Sequence, residues 1–206
     1  MKSLILKDFY VLRKQLWLYM AVIVAFQAFM GSMGLFITFL YAAMLPSTAF
    51  AYDDQSKWDM MEVMLPYSAR QIVLSRYCVG WIGAPCLTAL GLLARRLMEW
   101  APWIHAEGAA DFPATLAGLF AALGFMALSM PIYFRFDAEK SRLLRMLVVF
   151  LICALTGGFV AAAGASGVAL PDETPWGFVW GAFAAAAVLT AVSVPLSMLA
   201  WERRHR

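Results

Sequence analysis

The chain has 206 residues, of which 63% are hydrophobic and only 14% are charged. Soluble domains contain about 45–50% apolar and about 25% charged residues, so this composition excludes an ordinary soluble protein. The apolar residues occur in long runs, which is typical of an integral membrane protein. The whole chain, residues 1–206, is therefore predicted to be a single all-α transmembrane domain.

The first fifteen residues, MKSLILKDFYVLRKQ, form an amphipathic segment. Apolar side chains recur near helical spacing, and basic side chains lie off that stripe; the apolar set is Leu4, Ile5, Phe9, Leu12 and Leu16, and the basic set is Lys7, Arg13 and Lys14. This pattern predicts an N-terminal interfacial helix over residues 1–15 that leads into the first span. The same charges also suit a basic stop signal that fixes topology, and the two interpretations are compatible.

The long apolar runs that follow predict six transmembrane helices, because a helix needs about 20 apolar residues to cross the hydrocarbon core. In chain order the candidate spans are Leu16–Phe29, Leu35–Phe50, Ile72–Leu93, Pro113–Phe134, Leu144–Ala165 and Gly177–Ala200. The first two candidates, within residues 16–50, are short and are joined by MGSMG, whose glycines favour a turn. They could also form one long helix.

The distribution of basic residues favours six spans over five. With six spans both termini lie on one side, which holds fourteen of the sixteen basic residues, and the other side holds Arg95 and Arg96. With five spans the split falls to ten against six. The positive-inside rule therefore places both termini in the cytoplasm.

The chain lacks the motifs of an enzyme or of a self-powered pump. It has no P-loop, no Gly-x-Ser-x-Gly and no His-Glu-x-x-His sequence, and its cysteines and histidines are not at metal-binding spacing. No catalytic, cofactor or metal site is expected. No acid, lysine or histidine lies near the middle of a predicted span, which disfavours an ion-driven carrier. This pattern suits the membrane subunit of a complex in which another polypeptide supplies the energy.

The longest polar break in the N-terminal half is AYDDQSKWDMMEVMLPYSARQIVLSRY, within a predicted cytoplasmic loop over residues 51–71. Its spacing predicts a short helix capped by Ser56, with Asp59 in the capping-box position, and ended by Pro66. Ser68, with Gln71 three residues later, is predicted to cap the next span. One face of the short helix is apolar and could dock in a groove on a partner; it comprises Trp58, Met61 and Leu65.

This loop resembles the one that follows the second span in bacterial ABC-2-type transporter permeases. The matching residues are Phe50, Ala51, Tyr52, Asp53, Lys57, Trp58, Asp59, Leu65, Pro66, Ser68, Ile72, Val73, Ser75, Arg76 and Tyr77. Ala69 departs from the family pattern, which often has arginine there. The N-terminal stretch LILKDFYVLRKQ and the chain length also agree with the family.

The resemblance implies the permease subunit of an ABC exporter in the bacterial inner membrane. Such permeases pair with a second copy or a related permease, and two separate P-loop ATPase subunits bind ATP and Mg. Lys57–Leu65 would be the main coupling segment, and the residues implied in coupling are Lys57, Trp58, Asp59, Met61, Glu62, Leu65, Pro66, Ser68 and Arg70. The second inner loop, Arg135–Arg145, would be a second contact or, as the charges favour, an anchor for lipid headgroups. No nucleic-acid partner is expected.

Three polar residues are candidates for a substrate path. Gln27 is the deepest strongly polar side chain, and it could form an interhelical hydrogen bond or a polar point in a cavity. Arg95 and Arg96 lie at the outer end of the third span, where they could pair with Glu99 or bind an acidic group. The rest of the path is apolar and aromatic, which favours hydrophobic or amphipathic cargo such as a peptide, an antibiotic or a lipid-like molecule.

The last span carries small residues at close-packing spacing, namely Gly177, Gly181 and Ala185. They could form a dimer face or pack within one subunit. Two other functions stay open for the whole chain. A membrane anchor or immunity subunit would need the same docking loop, and a secondary carrier would need intramembrane charge that the spans lack.

Overall fold

The computed structural model describes residues 2–30, 33–58, 67–99, 112–135 and 175–204, together with the single residues 61, 64, 143 and 146. In these ranges the chain is helical and has no strand. The helices are α1 (Lys2–Met30), α2 (Met33–Gln55), α3 (Ala69–Glu99), α4 (Phe112–Arg135) and α5 (Trp176–Arg204). Each of the five is long and apolar enough to cross a membrane. The prediction of an all-α membrane protein is thus confirmed.

The first apolar region forms two helices rather than one. Near one end of the pair, Lys7 Nζ lies 2.9 Å from Asp53 Oδ1. Near the other end, Gln27 Nε2 lies 3.4 Å from Thr38 Oγ1. The contacts run in opposite directions along the two sequences, so α1 and α2 are antiparallel neighbours.

The segment predicted as a separate interfacial helix, residues 1–15, is instead the first half of α1. The helix runs without a break from Lys2 to Met30, and no glycine or proline interrupts it. Asp8 and Leu12 on its inner face are fully buried. This face therefore packs against the neighbouring helices and does not rest on a lipid surface.

Helix α3 lies antiparallel to α2, and glycines allow the two to approach closely. A Cβ at Gly83 would overlap Leu45, and a Cβ at Gly91 would lie 2.9 Å from the Thr38 methyl carbon. Since these contacts join the late part of one helix to the early part of the other, α3 returns across the bundle.

Helices α4 and α5 pack together more extensively than any other described pair. The rings of Phe120 and Phe183 lie 5.1 Å apart, and the Ser193 hydroxyl donates to the Ala127 carbonyl further along both helices. The two helices are therefore parallel, so α4 ends and α5 begins at opposite ends of the bundle. Of the predicted fifth span, Leu144–Ala165, the structure describes Met146 alone.

The directions of the helices gather most of the described cations at one end, called here the basic end. It holds the start of α1, the end of α2, the start of α3 and the ends of α4 and α5. Its described cationic side chains are Lys7, Arg13, Lys14, Lys57, Arg70, Arg76, Arg135 and Arg203. The opposite end has Arg95 and Arg96.

Candidate functional site

Four charged side chains from three helices meet at the basic end and form the ion-pair cluster. Arg76 on α3 donates from Nη1 to Asp8 Oδ1 of α1 at 2.9 Å, and from Nη2 to Asp53 Oδ2 of α2. Lys7 of α1 donates to both carboxylate oxygens of Asp53, at 2.9 and 3.0 Å. Its Nζ also lies 3.3 Å from Asp8 Oδ1. The cluster ties the base of α1, α2 and α3 together.

Burial makes this cluster a strong constraint on the three helices. Asp8 is 2% exposed, and Asp53 and Arg76 are each 3% exposed. Two positive and two negative groups make the cluster neutral as a whole, which is the condition under which charges can be buried. Each carboxylate contacts both cations, so removing any one group would leave an uncompensated charge in the interior.

The cluster reaches the α2–α3 loop through Trp58. The Lys7 ammonium lies 4.3 Å from the centroid of the Trp58 ring, which is a cation–π contact. Trp58 Nε1 is buried and has no hydrogen-bond acceptor among the described residues. Lys7 therefore contacts the loop and the carboxylate of Asp53 at the same time.

On its other side the cluster reaches α4 through aromatic rings. The Arg76 guanidinium carbon lies 4.9 Å from the centroid of Phe50. Phe50 in turn stacks on Tyr133 at 5.4 Å and meets Phe134 edge-on at 4.9 Å. Through these rings, the bases of α2, α3 and α4 form one packed layer.

Residues 51–55, predicted to belong to a loop, continue α2. The Ser56 amide donates to the Tyr52 carbonyl at 3.0 Å, and the Ser56 hydroxyl donates to the Asp53 carbonyl at 3.1 Å. Lys57 has a φ of 54°, the left-handed conformation in which many helices end. Ser56 thus closes α2; Trp58 and Met61 beyond it are helical, and the new helix that the sequence predicted at Ser56 stays a prediction. The predicted capping partner of Ser56, Asp59, lies outside the described residues.

The predicted coupling residues fall into three groups. Lys57, Met61, Ser68 and Arg70 are exposed, and Met61 has 59% of its surface free. Trp58 is half-buried against Lys7 instead of sharing a fully exposed face with Met61. The remaining predicted residues of the segment lie outside the described part of the chain; they are Asp59, Glu62, Leu65 and Pro66.

The cap predicted at the start of α3 is confirmed. The Gln71 amide donates to Ser68 Oγ at 3.4 Å, and the Ser68 amide donates to Gln71 Oε1 at 3.4 Å. This reciprocal pair is a capping box. It fixes where the loop ends and where the span that carries Arg76 begins.

A second buried polar cluster joins α3 to α4 and α5, and no sequence pattern predicted it. Tyr77 Oη lies 2.5 Å from Ser193 Oγ and 2.9 Å from Ser197 Oγ. Ser193 donates its own proton to the Ala127 carbonyl, so it accepts from Tyr77, and Tyr77 must then accept from Ser197. The result is a directed chain of hydrogen bonds, called here the hydroxyl chain.

Of the predicted substrate-path residues, Gln27 forms an interhelical contact. Its Nε2 donates to Thr38 Oγ1, and Thr38 donates to the Gly34 carbonyl at 3.0 Å. Gln27 is 2% exposed. At the opposite end Arg95 is buried and Arg96 is exposed, while the side chain of their predicted partner Glu99 lies outside the description.

The small-residue stripe of α5 points away from the rest of the described bundle. Gly177, Gly181 and Ala185 are exposed, and no described atom lies within 4 Å of a Cβ built on either glycine. The opposite face of α5, with buried Ala186 and Ser193, packs on the bundle. The stripe thus makes no packing contact with the described helices.

Sequence reasoning missed Lys7, Asp8, Asp53 and Arg76 as site residues, although Asp53 and Arg76 belong to the quoted loop pattern. One signal could have found Asp8. It lies one helical turn from Leu4 and Leu12, and all three are buried. An acid on the apolar stripe of a helix requires a buried partner.

The family comparison fits this arrangement. A family model described as "ABC-2 family transporter protein" matches residues 3–201, nearly the whole chain. The chain belongs to this family. A comparison with curated proteins found no match.

Membership of this family explains why the sequence contains no P-loop or other recognisable energy-coupling motif. ABC-2 proteins are the membrane components of transporters and are not themselves catalytic, and they associate with an ABC ATPase. The chain is accordingly a multi-pass membrane permease. In the part of the chain that the structure describes, no group of His, Cys, Asp and Glu could hold a metal ion.

Proposed function

We propose that this ABC-2 permease exports a hydrophobic or amphipathic molecule, such as a peptide, an antibiotic or a lipid-like compound, across the bacterial inner membrane. Two P-loop ATPase subunits, which bind ATP and Mg, supply the energy at the basic end. The observation that carries the proposal is the contact between Lys7 and Trp58. Through it, a loop suited to docking is attached to a buried cluster that joins three membrane helices.

The basic end is the end that we assign to the cytoplasm, with both termini on that side. Most of the described cations lie there, and membrane proteins keep such an excess of Lys and Arg inside. The α2–α3 loop is at the same end. It is therefore available to ATPase subunits, which work where ATP is present.

We infer that the coupling segment Lys57–Leu65 transmits movement of the ATPase to the membrane helices. Its exposed side chains, Lys57 and Met61 among those described, would contact the ATPase. When the ATPases close, the displaced segment would move Trp58 and, through Lys7, the ion-pair cluster. Because α1, α2 and α3 share that cluster, their bases would move together.

The path for cargo is inferred to be apolar. The polar side chains buried in the described spans bond mainly to backbone carbonyls of their own helix or to one another, as Ser129 bonds to the Met126 carbonyl and Gln27 to Thr38. The described acids that are buried, Asp8 and Asp53, are paired with cations at the basic end. These facts favour apolar cargo over an ion, and they disfavour the secondary-carrier alternative.

The first test is co-purification from the native host in mild detergent, with the bound proteins identified by mass spectrometry. A P-loop ATPase in stoichiometric amount is the expected result. A homo-oligomer without an ATPase, under conditions that preserve known ABC complexes, would contradict the proposal. It would favour a membrane anchor or immunity subunit instead.

The second test separates a coupled permease from a passive anchor that binds the same ATPase. In Trp58→Ala the loop loses its contact with Lys7. Cargo is therefore expected to stimulate ATP hydrolysis by the assembled complex less than it does in the unmodified protein. Trp17→Ala is the matched control, because it removes an indole that is 67% exposed and has no described contact with the cluster or the coupling segment. Both variants should retain the ATPase on purification. Identical ATPase activity in the two variants would contradict the coupling role of Trp58.

A further inference from the structure

Two consecutive residues of α3 belong to the two buried polar clusters described above at the basic end. Arg76 belongs to the ion-pair cluster, which holds α1 and α2. Tyr77 belongs to the hydroxyl chain, which holds α4 and α5. Neighbouring side chains of a helix point about 100° apart. One side of the base of α3 is therefore attached to α1 and α2, and the adjacent side is attached to α4 and α5.

The packing shows why the second attachment matters. Helices α4 and α5 contact each other along much of their length, and each contacts α3 far less; α4 also packs on α2, whereas α5 does not in the described part of the chain. Near its base, α3 is joined to α5 by the two bonds of the Tyr77 hydroxyl to Ser193 and Ser197. These bonds are a specific link between α3 and a pair of helices that otherwise behaves as one packed unit.

The hydroxyl chain is also hard to break inside the bundle. Ser193 and Ser197 are buried, as is the ring of Tyr77. A hydroxyl that lost its partner there would find no water to replace it, so the bonds favour joint movement of the two helices over separation. In a chain of three hydrogen bonds each bond also strengthens the next.

We propose that Tyr77 is the positioning residue that transmits motion from the coupling loop to α4 and α5. The inference rests on the proposed function, since it assumes that the ATPases move the base of α3. Arg76 receives the movement from the ion-pair cluster, and Tyr77 passes it on through Ser193 and Ser197. Without the Tyr77 hydroxyl, α3 would move while α5 would follow poorly, because its remaining connection to the cluster runs through α4 and the rings that pack on Phe50.

The test measures hydrogen–deuterium exchange in the complex with its ATPase in lipid nanodiscs, without nucleotide and after trapping with ATP and vanadate. Two regions are compared, the start of α3 over residues 69–80 and the end of α5 over residues 190–204. In the unmodified complex, trapping is expected to change exchange in both. In Tyr77→Phe, which removes only the hydroxyl, the α3 change should persist and the α5 change should be at least halved.

Tyr41→Phe is the matched control, because it also removes one hydroxyl, and Tyr41 has no hydrogen bond among the described side chains. It should behave like the unmodified complex. If Tyr77→Phe fails to assemble, Ser197→Ala replaces it, since this variant removes only the donor to Tyr77. The same loss of the α5 response is then expected.

The outcomes separate the two proposals. A full α5 response in Tyr77→Phe and Ser197→Ala would overturn the role of Tyr77 and leave the proposed function intact. A purely structural role predicts faster exchange in α5 in both states, with the difference between the states unchanged, and this too would overturn the inference. No response in either region of the unmodified complex would contradict the proposed coupling itself.

Discussion

At the residue scale, the charges of the base are arranged so that none is buried alone. Asp8 and Asp53 lie on different helices, and both contact Arg76 and Lys7. A buried ion pair contributes little net stability compared with apolar packing, but breaking one is costly. The cluster therefore determines which positions the helices can take, more than how strongly they associate.

Removing the central cation of the cluster should therefore be costly. Arg76→Met should destabilise the protein by about 3–5 kcal/mol, because two buried carboxylates would keep only Lys7 as a partner. Thermal unfolding in detergent measures the loss. Adding Asp8→Asn to the Arg76→Met variant should restore part of it, since one uncompensated charge disappears.

The control for this experiment is an exposed arginine on the same helix. Arg70→Met should change stability by no more than about 0.5 kcal/mol, because Arg70 is at the surface. Equal destabilisation by Arg70→Met and Arg76→Met would show that the cluster has no special role. So would a double variant that is less stable than Arg76→Met alone.

At the element scale, the sequence predicted what is local and missed what is distant. The capping box of Ser68 and Gln71 spans three residues, and it is present as predicted. Five of the six predicted spans each lie within one described helix, and two of them, Pro113–Phe134 and Gly177–Ala200, nearly match its extent, because long apolar runs identify spans directly. The end of α2 was predicted too early, since the polar residues after Phe50 continue the helix.

The contacts that make the site could not be predicted in this way. Asp8 and Arg76 are 68 positions apart, and Tyr77 and Ser197 are 120 apart. No spacing rule connects such residues, and only the antiparallel and parallel directions of the helices bring them together. The two groups of contacts therefore follow from tertiary structure alone.

Close helix packing at the element scale depends on Gly80. A Cβ there would overlap Met126 Sδ of α4 and lie 3.0 Å from Pro46 of α2. Gly80→Ala is therefore expected to destabilise the bundle by about 1–3 kcal/mol, the usual cost of overpacking. Thermal unfolding again measures the change. Combining it with Met126→Ala should cost less than the sum of the two single changes, because the shorter side chain leaves room for the new methyl group.

Gly181→Ala is the control for Gly80→Ala, because nothing in the described structure lies near its Cβ position. It should leave subunit stability within about 0.5 kcal/mol of the unmodified protein. Strict additivity of Gly80→Ala and Met126→Ala would contradict the proposed overlap. Loss of stability in Gly181→Ala would place a packing partner against the stripe that the described helices do not supply.

At the scale of the whole molecule, the directions of the helices determine where the chain ends lie. Helices α1 and α3 run one way across the bundle, and α2, α4 and α5 run the other way. The start of α1 and the end of α5 therefore lie at the same end, together with the α2–α3 loop. This shared end is also the more basic one among the described residues, which fits the cytoplasmic orientation proposed for it.

This geometry predicts the labelling of single cysteines introduced after the native cysteines are replaced. Lys14→Cys and Arg203→Cys, both exposed at the basic end, should react with a membrane-impermeant maleimide only after the cells are permeabilised. Arg96→Cys, exposed at the other end, should react in intact cells. Reaction of Lys14→Cys and Arg203→Cys on opposite sides would contradict the parallel arrangement of α4 and α5. Reaction of both in intact cells would invert the orientation and place the coupling loop where no ATPase could reach it.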